Sequence, residues 1–210
     1  MAGLLVHPFS MLVSGGRGVG KTVFTKKLLQ NKSSMIQNTP KRIVWCYGKH
    51  QPALFDELIK IEPNIEYIEG IPENLSTMFN KNIPSLIIID DLMDDSADNK
   101  AVSQLFTRGR HDNMSVIFLT QNLFHPKQRI ISLNSDYMVV FKNVRDKSQF
   151  TNLAKQFMPN HVKFMKWVFE DATKLPHSYL FLDMKPDADE KLRIRTNILP
   201  DEKPQFVYLR

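Results

Sequence analysis

A glycine-rich stretch, SGGRGVGKT at residues 14–22, contains the residue types best suited to phosphate chemistry. It matches the pattern G-x-x-x-x-G-K-T, in which the fixed positions are Gly15, Gly20, Lys21 and Thr22. Glycines let successive backbone N–H groups turn inward around phosphate oxygens, and a helix beginning here adds its partial positive charge. We expect Lys21 to bridge the β- and γ-phosphates of ATP, and Thr22 to bind Mg²⁺ through its hydroxyl.

The other residues of this loop are expected to line the same phosphates with backbone N–H groups. They are Gly16, Gly18, Val19 and Val23. The alternative is an ordinary glycine-rich turn with a chance lysine. An apolar run before the loop, a helix-compatible segment after it and a second motif further along the chain all favour the phosphate loop.

That second motif is 86-LIIIDD-91, an apolar run that ends in two carboxylates. If this strand neighbours the phosphate loop, Asp90 is placed to support Mg²⁺ and Asp91 to polarise the attacking water. Many P-loop ATPases have Glu at the second position, and Asp91 is about one methylene shorter, so its role as general base is the less secure of the two. The alternative is a solvated junction between strand and loop.

A third apolar run, 116-VIFLTQN-122, also ends in polar residues. If it lies beside the strand that carries Asp90, Thr120 or Gln121 emerges next to the γ-phosphate. We select Gln121 as the residue that senses this phosphate or orients water. A polar strand end without such a role is the alternative.

Arg108, Arg110 and His111 precede this third strand and so belong near its amino end. Nucleotides bind outside the carboxyl ends of parallel strands, and six or seven residues at ~3.3 Å each separate the two ends by roughly 20 Å. Neither arginine should therefore reach the nucleotide of its own chain. Three interpretations stay open: a basic helix terminus, an arginine finger that reaches a neighbouring subunit's γ-phosphate, and contact with nucleic-acid phosphates.

Apolar, β-branched runs alternate with helical patterns, which predicts an α/β fold whose parallel or mixed sheet is covered on both faces. Residues 147–157 and 160–171 are predicted helices, the second capped by Asn160. Residues 178–184 and 192–199 are predicted to form an antiparallel hairpin at the sheet edge. The other predicted strands are 10–15, 42–48, 65–70, 85–91, 115–121 and 137–142.

Composition favours one domain over residues 1–210, because 210 residues with 42% hydrophobic content can bury one substantial core. An excess of 28 basic over 22 acidic residues favours polyanionic partners, and DNA, RNA and acidic membrane surfaces all remain open. The one cysteine, Cys46, excludes an internal disulfide and favours a reducing, intracellular environment. We expect no signal peptide, and no membrane span, because no run reaches about 18 apolar residues.

Taken in order, several segments resemble the viral DNA-packaging ATPases of the FtsK/HerA P-loop superfamily. They are SGGRGVGKT, IVWCYG, EGIP, LIIIDDLM, FTRGRHDN, FLTQNLFHP and DYMVVFKNVRD. The chain is most similar to the enzymes of Polinton-like elements, adintoviruses and virophages, and more distantly to the poxvirus packaging ATPase. The resemblance implies a RecA/ASCE-like three-layer sandwich with a mainly parallel sheet. It also implies a ring, hexameric or pentameric, that hydrolyses ATP and pumps double-stranded DNA into a preformed capsid at a portal-like vertex. Such a protein is expected in the virus factory, cytoplasm or nucleus of the host cell, or with the virion.

The resemblance also implies roles for individual residues. Lys21 and Thr22 bind phosphate and Mg²⁺, and Asp90 supports the metal. Asp91 stands where a catalytic acid is expected, although the family pattern has Glu there. Gln121 becomes the polar sensor, and Arg110 becomes the preferred arginine finger acting in trans, with Arg108 as the second choice.

Two basic segments are candidates for DNA contact: 125–130, with Arg129, and 142–147, with Lys142, Arg145 and Lys147. The alternative for each is a solvated basic surface. Two other functions also remain open, a small P-loop nucleoside kinase and a nucleotide-gated DNA-binding or assembly protein with little turnover. Phosphate release measured with and without double-stranded DNA separates these functions from a motor.

Overall fold

The computed structural model describes residues 4–72, 78–90, 92, 96–123, 129–146, 148–202 and 204–210. The first half of the chain forms β1 (Leu5–Val6), β2 (Ser10–Ser14), α1 (Lys21–Gln30), α2 (Lys32–Met35), β3 (Ile36–Gln37), β4 (Arg42–Tyr47), α3 (Pro52–Ile61), β5 (Glu66–Glu69) and β6 (Ser85–Asp90). The second half forms α4 (Ser96–Arg108), β7 (Met114–Thr120), α5 (Arg129–Leu133), β8 (Tyr137–Phe141), α6 (Ser148–Phe157), α7 (Val162–Ala172), β9 (Tyr179–Asp183), β10 (Ile194–Thr196) and β11 (Phe206–Val207).

One large sheet organises the described part of the chain, with the strand order β11-β10-β9-β8-β2-β7-β6-β4-β5. From β8 through β5 the neighbouring strands are parallel. Strands β9, β10 and β11 continue the sheet in antiparallel fashion. The mainly parallel sheet and its C-terminal antiparallel hairpin are therefore confirmed. The short strands β1 and β3 pair separately.

The central strands are apolar at consecutive positions because each face of the sheet packs against helices. Along β6, Ile87 and Ile89 belong to one core, while Leu86 and Ile88 belong to the core on the opposite face. Helices α1 and α3 cover the second core, and α4, α6 and α7 cover the first. Burying each such side chain contributes about 1.5–3 kcal/mol. The three layers predicted for this fold are thus present, with the sheet in the middle.

The strand register decides which residues meet at the carboxyl edge of the sheet. Strand β7 lies between β2 and β6, so the expectation that it neighbours the Asp90 strand is confirmed. Its residue Leu119 pairs with Asp90, and Thr120 pairs with Ser14. The residues that follow β2, β6 and β7 therefore emerge at one edge.

One predicted helix start is wrong. The prediction capped the second C-terminal helix with Asn160, but α7 begins at Val162 after a 3₁₀ turn over Pro159–His161. Proline fixes its own φ near the helical value and suits the first position of a helical turn. The chain therefore begins to coil at Pro159, before the predicted cap, and does so as a 3₁₀ turn, which is tighter than an α-helix. His161 precedes α7 without a capping side-chain hydrogen bond.

Candidate nucleotide-binding site

The loop between β2 and α1 folds tightly because two of its glycines have no acceptable substitute. Gly20, directly before α1, has a φ of 111°, in the left-handed region that favours glycine. At Gly15 a Cβ atom would lie 2.6 Å from the Cβ of Phe141 and 2.8 Å from Cγ2 of Val19. The loop therefore curls back against the end of β8.

The amine of Lys21 lies within this loop. Its Nζ donates hydrogen bonds to the carbonyl oxygens of Gly15 at 2.7 Å and Gly16 at 3.0 Å. Helix α1 begins at the same residue, so its free N–H groups and partial positive charge face the loop together with the ammonium. This combination suits the phosphate chain of a nucleotide.

A cavity of about 460 Å³ opens beside the loop and α1. Cavities that bind small ligands span about 300–1,000 Å³, so the volume suits a nucleotide. Loop and helix residues form one side of the cavity: Gly18, Gly20, Lys21, Thr22, Val23, Phe24 and Lys27. The other side consists of Phe141, His177, Tyr179 and Glu202.

The second side of the cavity was not identified from the sequence. His177 lies in the turn before β9, with a φ of 64°. Its Nδ1 is 3.5 Å from the position that a Cβ of Gly20 would occupy, so the imidazole stands directly beside the phosphate loop. The signal in the sequence was the predicted hairpin, which put residues 178–184 and 192–199 at the sheet edge but did not locate the turn that precedes them.

The C-terminal segment is fastened to this side by charged contacts. Tyr179 donates its hydroxyl to Glu202 Oε2 at 2.5 Å. Burial and the neighbouring Glu202 carboxylate raise the pKa of Tyr179, so the phenol keeps its proton and remains a donor. Lys27 Nζ lies 2.7 Å from Asp201 Oδ2, which ties the same segment to α1.

The two residues predicted to hold magnesium, Thr22 and Asp90, are both in the described part of the chain. Asp90 is the half-buried last residue of β6, and Thr22 lies in the first turn of α1. Carboxylate and hydroxyl oxygens are hard ligands that fit Mg²⁺, which keeps several waters and binds nucleotide phosphates. Asp91 lies outside the described residues, so its catalytic role remains a prediction.

The third motif reaches the same edge. The backbone N–H of Gly15 donates to the carbonyl of Thr120 at 3.2 Å, and Gln121 directly follows. The phosphate loop and the residue selected as sensor therefore leave neighbouring strands side by side. Three of the remaining loop residues lie between Gly15 and Lys21, namely Gly16, Gly18 and Val19, and Val23 follows Thr22 in α1.

The arginines occupy the opposite edge of the sheet. Arg108 ends α4, and Arg110 lies in a 3₁₀ turn over Gly109–Asp112 before β7. The guanidinium of Arg110 forms an ion pair with Asp136, which also accepts a hydrogen bond from the N–H of Ser10 at 2.8 Å. Ser10 starts β2 and Asp136 precedes β8, so Arg110 is at the amino edge, as expected.

The turn that carries Arg110 is anchored by a buried histidine. His7 Nδ1 lies 2.6 Å from Ser115 Oγ, and its Nε2 lies 3.0 Å from Asn113 Oδ1. Burial lowers the pKa of His7, which favours the neutral ring. His111 is exposed and takes no part in these contacts.

A basic loop after β8 is connected to the end of β7. Lys142 and Arg145 are exposed there. The amide of Gln149, just beyond them, accepts from the N–H of Leu123 at 2.7 Å and donates to Asn122 Oδ1 at 3.3 Å and to Asp146 Oδ2 at 2.9 Å. These contacts join the residues after Gln121 to the loop. Exposed Arg129 begins α5, whereas residues 124–128 and Lys147 lie outside the described ranges.

No helix within the described ranges is both long enough and apolar enough to cross a membrane.

Comparison with known proteins identifies viral relatives. The family described as "Poxvirus A32 protein" matches residues 1–163. The DNA packaging protein OPG160 of monkeypox virus is 28% identical over 136 residues, which cover 58% of this chain and 44% of that protein. The corresponding protein of vaccinia virus (strain Copenhagen) is 27% identical, with coverages of 58% and 49%. The chain spans about half the length of these curated relatives.

Solved structures share the fold at low sequence identity. The conjugation coupling protein TcpA of pCW3, determined with ATPγS, superposes with a TM-score of 0.51 and 15% identity, covering 83% of this chain and 57% of TcpA. The cytoplasmic domain of the type VII secretion ATPase EccC from Thermomonospora curvata gives a TM-score of 0.53 and 15% identity, covering 84% and 24%. At these identities the likeness shows a shared fold, an α/β domain with a mainly parallel central sheet. Since the family match extends over most of this chain, the chain belongs to the Poxvirus A32 protein family.

Proposed function

We propose that this protein is an ATP-hydrolysing motor that moves double-stranded DNA into a viral capsid. The observation that carries the proposal is the phosphate loop, whose Lys21 amine lies against the loop carbonyls. Asp90 and the strand leading to Gln121 end at the same sheet edge. Membership of a family whose relatives include DNA packaging proteins supports the choice of substrate.

In the proposed site, the loop N–H groups hold the phosphates, and Lys21 turns from the carbonyls of Gly15 and Gly16 to the β- and γ-phosphates. Thr22 and Asp90 hold Mg²⁺, which neutralises charge on the phosphates when it is bound. Asp91 polarises the attacking water and Gln121 orients it. The nucleoside extends along α1 toward the side of the cavity that contains His177.

Arg110 completes a neighbour's site rather than its own. Its guanidinium is at the amino edge of the sheet, opposite the phosphate loop, and its side chain is 56% exposed despite the ion pair with Asp136. A ring of five or six subunits brings the amino edge of one subunit to the nucleotide of the next. Loss of the γ-phosphate then alters that interface, as a rotary or sequential motor requires.

The contacts of Gln149 provide a physical route from the nucleotide to DNA. A shift of Gln121 on loss of the γ-phosphate moves Asn122 and Leu123, which are hydrogen-bonded to Gln149. Gln149 also holds Asp146, and hydrogen bonds from Ser148 and Gln149 lower the pKa of Asp146 and keep it ionised. The basic loop therefore moves with the sensor strand. Lys142 and Arg145 would bind DNA phosphates without sequence preference.

A packaging function also implies a location for the motor. We place it at a portal-like vertex of the capsid, in the virus factory, cytoplasm or nucleus of the host cell or with the virion. The alternative function is a nucleotide-gated DNA-binding or assembly protein that turns over little ATP. The observation in its favour is Asp rather than Glu at position 91.

Replacement of Lys21 by alanine tests the site itself. Lys21→Ala should lower steady-state phosphate release by at least about 100-fold, because the charge next to the transferred phosphate is lost. The control Lys41→Ala removes an exposed lysine before β4 and should leave the rate unchanged. Double-stranded DNA should stimulate the unmodified protein. A negligible rate with and without DNA would favour the gated binder, and stimulation by a small acceptor alone would favour a kinase.

Mixed rings test the role of Arg110. Arg110→Ala should lower turnover by about 10³-fold or more while assembly is retained, because the finger supplies transition-state charge. Lys21→Ala subunits still carry Arg110, so mixing them with Arg110→Ala subunits should restore partial turnover. Arg110→Lys keeps a charge for Asp136 but loses the guanidinium fork, and it should stay slow. Failure of every mixing ratio to restore turnover would contradict the assignment.

Salt dependence tests the DNA-binding loop. The double variant Lys142→Ala/Arg145→Ala should reduce the slope of log affinity against log salt by about 2, since two phosphate contacts are removed. Turnover without DNA should be unchanged. The matched control Lys155→Ala/Lys163→Ala removes two exposed charges from α6 and α7. Equal losses of slope in the two double variants would place the DNA elsewhere.

A further inference from the structure

A second and larger cavity lies on the α1 face of the sheet. Its volume is about 940 Å³, and it opens between the corner formed by α2 and β3 and the C-terminal strand β10. None of its lining residues also lines the cavity beside the phosphate loop. Residues 198–202 pass between the two, with Ile198 and Pro200 facing this cavity and Glu202 facing the other.

Arg195 of β10 lines this cavity, and within the described part of the chain its guanidinium lies against an aromatic ring rather than a carboxylate. Its Nε is buried and makes no hydrogen bond there, and none of the ion pairs among described residues includes it. The guanidinium carbon lies 5.1 Å from the centroid of the Phe181 ring, which fixes it over an apolar surface. Burial lowers the pKa of Arg195, and Asp183 acts on it electrostatically without an ion pair.

A neighbouring arginine, in the turn before β10, has hydrogen-bond partners for its guanidinium. Arg193, two positions earlier, donates to the carbonyls of Asp183 at 3.0 Å and Lys185 at 2.8 Å, and pairs with Glu190 at 2.6 Å. Its five donors hold the turn before β10 together. Within the described residues Arg195 makes none of these contacts, and its Nε is a buried donor without a hydrogen bond, which is unfavourable.

The lining of the cavity complements an anion. Hydroxyl and amide groups, among them Ser33, Asn38 and Gln205, accompany Arg195, and no acidic side chain is present among the lining residues. Gln205 donates to the carbonyl of Ile198 at 3.2 Å, which fixes that side of the opening. The remaining surface is apolar and includes Leu4 and Ile198.

We propose that this cavity is a binding site for a small anion that carries a phosphate or a carboxylate group, with Arg195 as its principal ligand. A guanidinium presents N–H donors in a planar fork that matches both groups. The site is separate from the nucleotide cavity and does not depend on ATP hydrolysis.

The test uses the full chain carrying Lys21→Ala, so that the phosphate loop does not dominate binding. Inorganic phosphate and acetate are titrated separately against chloride at constant ionic strength. The readouts are the Arg195 Nε–H resonance in ¹⁵N-labelled protein and the Tm. We expect a saturable shift of that resonance, and at tenfold excess over Kd a rise in Tm of about 3–6 °C. The arm with the stronger response identifies the group that the site prefers.

Variants separate this site from general anion effects. Arg195→Met should fold with a similar Tm and lose the response, Arg195→Lys should weaken it about tenfold, and exposed Arg210→Met should retain it. If the Arg195 variants do not fold, the Arg195 Nε–H resonance of the chain carrying only Lys21→Ala decides whether the anion binds at this site. A response that persists in Arg195→Met, or no saturable change through tens of millimolar of either anion, overturns the proposal. Either result leaves ATP turnover by the unmodified chain as a separate question.

Discussion

The parallel register of three central strands is the constraint on which the site depends. Strand β7 pairs with β2 on one side and β6 on the other, so Thr120 lies beside Ser14 and Leu119 beside Asp90. A slip of one residue would turn every buried side chain of β7 to the opposite face of the sheet. Apolar residues on both faces therefore fix the register, and the register places the phosphate loop, Asp90 and Gln121 at one edge.

The same sheet separates the phosphate loop from Arg110, the arginine that we propose as the finger. Seven residues of β7 lie between the turn of Arg110 and Gln121, which at ~3.3 Å each amounts to roughly 20 Å. Asp136, which is itself held by Ser10, keeps the guanidinium at the amino edge. In the proposed motor, the amino edge of one subunit therefore meets the nucleotide of the next subunit, so that ATP hydrolysis requires assembly.

The elements that local sequence determines were predicted well. Apolar, β-branched runs identified β2, β4, β5, β6, β7 and β8, whereas the short strand β3 was not predicted. The spacing of Gly15, Gly20, Lys21 and Thr22 identified the loop before α1. The C-terminal hairpin was also recognised, because two apolar runs flank a polar turn. The start of α7 was misplaced because Pro159 begins a 3₁₀ turn that a helical pattern does not reveal.

The contacts that join distant segments could not be predicted in this way. His177 meets Gly20 only after the sheet has brought the turn before β9 next to the loop. Gln149 likewise meets Leu123 and Asn122 across the carboxyl edge, and Arg195 faces a cavity made with α2 and β3. In the sequence, His177, Gln149 and Arg195 each look like an ordinary polar residue. Asp91 remains assigned from the motif alone.

A nucleotide site shared between subunits predicts the mass of the assembly in the presence of a non-hydrolysable ATP analogue and double-stranded DNA. Native mass spectrometry or light scattering should give a protein mass of five or six times the 24.4 kDa of one chain, with nucleotide bound in the ring. A protein that stays monomeric under these conditions, and that hydrolyses ATP at its full rate as a monomer when ATP replaces the analogue, would contradict the shared site.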